Sequence, residues 1–182
     1  MYRPTFRLLF VIIFLISIIT VLFSPVHNLI IKSDELSLLS LPVSSVNTFH
    51  TGYIHSVQLT PVEDDYKIID SSIWLWEERV VSHNAGLPVD APRNGRFFQD
   101  KNWMYVQGGR YNSQKYFLRV GNSTLGKNWL KISPFAKINL FEHFPSKLLE
   151  IEVTETPLII SIYEKQETLL QKGIRHNTIN SK

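Results

Sequence analysis

The chain has 182 residues, enough for one folded domain with a sizeable core and too few for two full ones. It carries no cysteine, which excludes a disulfide scaffold, a thiolate metal site and a cysteine nucleophile. The formal net charge is +3, but Arg3 and Arg7 supply two of those charges, and from Pro25 onward 17 basic residues stand against 16 acidic ones.

Residues 8–23 (LLFVIIFLISIITVLF) hold no charge, and only Ser17 and Thr20 among them are polar. As a helix this run is roughly 24 Å long, against the ~30 Å of a bilayer core. Phe6, Val26 and a snorkelling Arg7 extend it. It is longer than the roughly 7–15 apolar residues of a cleaved signal, and the exit at Ser24-Pro25-Val26 has no small-x-small cleavage pattern. The sequence therefore predicts an uncleaved signal-anchor that crosses once. Residues 1–7 are cytoplasmic and residues 8–25 form the transmembrane helix. The rest is extracytoplasmic (periplasmic, extracellular or lumenal), because Arg3 and Arg7 mark the cytoplasmic side. Residues 26–48, punctuated by Ser and Pro, read as a stalk.

From 49 to 164 the pattern is that of strands separated by turn residues at spacings of about 8–15. Residues 53–59 alternate, 72–81 are dense in Trp and branched residues, and 96–99 and 103–107 flank the turn triplet Asp100-Lys101-Asn102. Gly108, Gly109, Asn112 and Ser113 mark the next loop. Strands are expected again at 115–120, 129–132, 136–141, 148–153 and 158–163. The fold class is mainly β, a small antiparallel sandwich or barrel-like domain, preceded by one transmembrane helix. Residues 165–182 read as a polar tail that begins helically and is stopped by Gly173.

The near-neutral total hides segregation. Residues 34–90 hold nine acids and two bases, residues 91–140 nine bases and one acid, and residues 141–167 six acids and two bases. The basic block also holds Trp103, Tyr105, Tyr111 and Trp129. One reading is a face for a polyanion, with cations to attract it and rings to stack on it. The other is that basic strands pair with acidic neighbours across a sheet. On the first reading the contacts are Arg93, Arg96, Lys101, Trp103, Arg110 and Tyr111, which flank the expected hairpin and its loops.

No catalytic residues are identified. Adjacent Glu77-Glu78 point to opposite faces of a strand, and Asp64-Asp65 follows Pro61 in an expected turn. The six histidines are scattered, so no metal site is expected, and no cofactor either. Gly121 to Lys127 matches G-x-x-x-x-G-K, but Asn128 follows where a phosphate loop has Ser or Thr, and strand pattern continues where it has a helix.

Residues 72–116, through Ser72-Ile73-Trp74-Leu75-Trp76-Glu77-Glu78, Asn94-Gly95-Arg96-Phe97-Phe98, Trp103-Met104-Tyr105-Val106 and Asn112 to Tyr116, resemble all-β segments that accompany polysaccharide glycosyltransferases and other sugar-acting enzymes. The resemblance carries no catalytic motif and implies a sheet module in a glycan setting. The function expected is a non-enzymatic, membrane-anchored interaction module for an envelope protein or an anionic glycan, with no nucleic-acid partner. The alternative is an enzyme or accessory subunit acting on cell-surface polysaccharide. Two converging carboxylates in a cleft would favour that alternative.

Overall fold

A computed structural model of the chain describes residues 4–34, 36–82, 90–133 and 135–164. The apolar start forms α1 (Pro4–Leu22), where Thr20 Oγ1 satisfies itself on the Ser17 carbonyl at 2.8 Å. Its apolar side chains from Leu8 to Val21 are largely exposed, Leu8 at 62% and Phe14 at 65%. No helix among the described residues is long and apolar enough to cross a membrane. The helix also stops short of the expected end of the span (8–25), because Pro25 already begins a strand.

The expected stalk does not exist as such. Residues 26–48 fall largely in β1 (Pro25–Ser33) and β2 (Leu36–Pro42), which belong to a four-stranded sheet of order β2-β1-β11-β8. Its other strands are β8 (Lys115–Arg119) and β11 (Leu148–Pro157). Leu29, Ile31, Leu39, Leu149 and Ile151 have no exposure at all. Apolar residues two apart put one face of each strand into the core, and this alternation, not Ser and Pro content, decides the structure here.

The second sheet has seven strands, in the order β10-β9-β3-β4-β5-β7-β6. They are β3 (Thr48–Ile54), β4 (Pro61–Ile69), β5 (Ser72–Val80), β6 (Arg96–Gln99), β7 (Met104–Ser113), β9 (Gly126–Ile132) and β10 (Ile138–Asn139). All named ladders are antiparallel. The inner faces of the two sheets share one core, which includes Leu29, Leu39, Phe49, Tyr66, Leu130 and Ile151. Phe49 and Tyr66 stack with ring centroids 4.6 Å apart. The expected antiparallel sandwich is therefore met as two packed sheets.

Several local expectations are corrected. The strand expected at 53–59 ends at Ile54, and residues 55–60 turn, with the His55 ring accepting the Val57 and Gln58 N–H groups. Residues 61–69, expected to turn at Asp64-Asp65, form the alternating strand β4. Strand β7 continues through Gly108 and Gly109, whose φ of 122° and 72° only glycine takes without strain. The strand expected at 136–141 is shortened to β10 by helix α2 (Leu140–His143). The strand expected at 158–163 is helix α3 (Leu158–Glu164). The predicted tail 165–182 lies outside the described residues.

Candidate functional site

The outer face of the seven-stranded sheet carries a polar ladder that crosses five strands. His50 on β3 meets Asp65 on β4, Nδ1 to Oδ1, at 2.5 Å. Arg79 on β5 donates to Asp65 Oδ1 at 2.8 Å, lies 3.2 Å from Glu63 and donates to Glu77 at 3.2 Å. Glu77 accepts from the Gln107 amide on β7, and Gln107 Oε1 in turn accepts from Arg96 Nε on β6 at 2.7 Å. Across strands each step joins residues that the register places opposite or two positions apart on the same face, and Arg79 and Glu77 are two apart on β5.

Aromatic rings flank this ladder. Lys67 Nζ sits 3.7 Å from the centroid of the Trp76 ring, and the Arg96 guanidinium lies 5.1 Å from the Phe98 centroid. Phe98 stacks on Tyr105 at 4.6 Å. At the opposite edge Trp129 lies flat across Gly52, where any Cβ would overlap its indole, with Lys137 4.2 Å from the ring centroid.

Two bulges shape the middle of the face. The β4–β5 register shifts between Asp65 and Tyr66, leaving Trp76 as an extra residue on β5. On β7, residues 108–110 stand opposite Trp76, between the pairs Leu75↔Tyr111 and Glu77↔Gln107. A Cβ on Gly109 would come within 2.9 Å of the Trp74 ring. Interrupting the ladder opens a cleft of about 280 Å³ lined by Trp76, Asn94, Gly95, Arg96, Gln107 and Gly108.

The same bulge controls two carboxylates on the inner face. Glu77 faces outward into the ladder, while Glu78 pairs across the strands with Asp64. Both are nearly buried, at 8% and 9% exposure. Directly opposed residues have Cβ atoms roughly 5 Å apart. The Tyr66 hydroxyl donates to Asp64 Oδ2 at 3.3 Å. Burial first, then the Asp64 charge, pushes Tyr53 and Tyr116 up to about 12, and the same two causes push Tyr66 further. These tyrosines are hydrogen-bond donors throughout the physiological range. This pair is not legible in the sequence, because Asp64 follows Pro61 in what reads as a turn, and only the β4–β5 ladder sets it opposite Glu78. The two carboxyls converge, but they lie between apolar rows. The cavity of about 420 Å³ near them is lined by Tyr53, His55, Tyr116 and Arg119, and not by either acid.

The sequence-derived contacts are only partly brought together. Arg96 lines the cleft, and Arg93 is exposed in the turn that precedes it. Lys101 and Trp103 sit at the tip of the β6–β7 hairpin, and Trp103, the nearer in the chain, is four residues from Gln107 and so about 13 Å away. That tip is held by Asp100, which accepts from the Asn102 and Trp103 N–H groups at 2.8 Å and from the Tyr105 hydroxyl at 2.8 Å. Those bonds hold its carboxyl below the usual range. Tyr111 pairs with Leu75 and so faces the core side of the sheet, opposite the cleft, with 54% exposure at its margin. Arg110 falls in β7, its side chain outside the described residues.

The basic block as a whole is dispersed. Lys115 and Arg119 lie on β8 of the four-stranded sheet, and Lys127 and Lys131 lie on β9, five strand spacings from β6, or about 24 Å. Lys115 is engaged by Glu150 at 2.6 Å and Glu152 at 2.9 Å, as cross-strand pairing predicts.

Residues 49–134 match the family model described as DUF1850, a domain of unknown function. That stretch is a little short of half the chain and runs from β3 through β9, so it contains every residue of the polar ladder and the cleft. No curated protein and no solved structure matches the chain.

Proposed function

We propose that this protein is a membrane-anchored, extracytoplasmic and non-enzymatic binding module. Its outer sheet face takes an acidic saccharide at the Trp76–Arg96–Gln107 cleft. The observation that carries this reading is the composition of the cleft: an aromatic wall, an amide, and two cations, Arg96 at its lip and Lys67 across the Trp76 ring. A sugar ring offers an apolar face that stacks on indole and hydroxyls that bond amides and guanidinium groups. Arg96 uses Nε on Gln107, and its fork carries four further N–H donors. Glu77, the nearest acid on the ladder, is engaged by Gln107 and Arg79. The anchoring part of the reading is supported by α1, an uncharged helical run from Leu8 to Leu22 with no polar face and exposed apolar side chains. Arg7 and Phe23 bring the run to roughly 25 Å against the ~30 Å of a bilayer core, a mismatch that snorkelling and local thinning of the bilayer take up.

The enzymatic alternative is less well supported. Asp64 and Glu78 converge, but the apolar residues Val62 and Val80 on one side and Tyr66 and Leu75 on the other enclose them in the ladder.

The test is a titration of the full chain, in detergent micelles, with polyuronate at low and high salt, following tryptophan fluorescence. Saturable binding that weakens with salt is expected, as is a loss of roughly tenfold or more in Trp76→Ala, about 1.4 kcal/mol or more. Arg96→Glu should lose a similar amount. Well-folded protein that shows no saturable change at low salt, or variants that bind as the parent does, would overturn the assignment.

A further inference from the structure

Helix α3 is built inside out. A helix lying on a protein turns apolar side chains inward and polar ones to water. In α3 the buried residue is Ser161, at 7% exposure, while Ile159, Ile160, Ile162 and Tyr163 stand 41%, 43%, 59% and 75% exposed. The orientation is fixed by hydrogen bonds. Ser161 Oγ donates to Asn28 Oδ1 at 2.7 Å, and Asn28 Nδ2 donates to Thr156 Oγ1 at 2.6 Å. Asn28 has no exposure. Rolling α3 to hide its isoleucines would leave that buried amide unsatisfied, which is why the helix cannot simply turn over.

Its position is equally specific. Pro25 and Pro157 are partners at the end of the β1–β11 ladder, and the Leu158 N–H donates to the Ser24 carbonyl at 3.0 Å. The two helices therefore leave the four-stranded sheet side by side, and α3 touches α1. The exposed apolar side chains of α1 and of α3 thus lie at the same end of the sheet. We propose that this face of α3 (Ile159, Ile160, Ile162 and Tyr163) seats in the interfacial layer of the bilayer that α1 enters. The inference rests on the anchored reading above. Isoleucines at acyl depth with a tyrosine at headgroup level are the composition such a layer favours. The contact turns the four-stranded sheet toward the membrane and leaves the opposite sheet, with its cleft, on the far side.

The chain has no cysteine, so single labels need no background removal. Full-length Ile16→Cys, Ile162→Cys and Val57→Cys would each carry an environment-sensitive nitrobenzoxadiazole label in phosphatidylcholine vesicles. Val57 is 70% exposed in the turn at the opposite end of β3. The Ile162 label should be blue-shifted, several-fold brighter than the Val57 label, and quenched by shallow spin-labelled lipid. The Ile16 label should be quenched by deep spin-labelled lipid. An Ile162 label as wet as Val57, with Ile16 in lipid, would overturn the seating of α3 and leave the anchor standing. An Ile16 label in water would overturn the anchor, and this inference with it.

Discussion

Glu152 is the acid on which the outer face of the four-stranded sheet depends. It is 4% exposed on β11, where its carboxylate bonds Lys32 through Oε1 and meets Lys115 at 2.9 Å through Oε2. Burial acts to raise its pKa, but the hydrogen bonds from the two lysines outweigh burial and hold it below the ordinary value of 4.5. Charge-assisted bonds contribute about 1.5–3 kcal/mol each where water is excluded. The lysine side chains are 35% and 53% exposed, so each bond is discounted, and Lys115 keeps Glu150 when Glu152 is gone. Glu152→Gln should therefore cost about 2 kcal/mol at pH 7, which for a domain of this size lowers Tm by roughly 4–8 °C. Because the folded pKa is depressed, the contribution is fully present above the unfolded value. It is lost as pH falls below about 4.5 through the folded one. The assay is thermal unfolding of the full chain in detergent micelles, followed by tryptophan fluorescence from pH 7 to pH 3. The gap between parent and variant should narrow as the pH drops. A gap under about 0.5 kcal/mol at pH 7, or one that stays constant down to pH 3, would refute the reasoning.

Gly52→Val should cost about 2–3 kcal/mol, because the new side chain displaces the Trp129 ring and with it the Lys137 contact. Chemical unfolding would read the loss, and a red-shifted emission spectrum would report the displaced indole. A chain begun at residue 44 should fail to fold. It lacks β1 and β2 and so uncovers Leu149 and Ile151, both fully buried against them. Dispersed amide resonances from such a fragment would contradict the fold described above.

The parts of this protein legible in the sequence are those decided by neighbours along the chain. The uncharged run of α1 is one. The Trp-rich strand β5 and the hairpin tip at Asp100 are others, because periodicity and turn chemistry act within a few residues. The α3 segment misled, since a short run such as Leu158–Tyr163 satisfies strand and helix patterns alike. What only the tertiary structure decided are the pairings. Residues 25–33 became a central strand because β11, more than a hundred residues later, offered a matching ladder. Glu78 faces Asp64, and Glu77 faces Gln107, because one bulged residue shifts side-chain parity along β5. The basic block, contiguous in the chain, was divided between two sheets, because a strand's neighbours are set by which apolar face it can bury and not by the charges it carries.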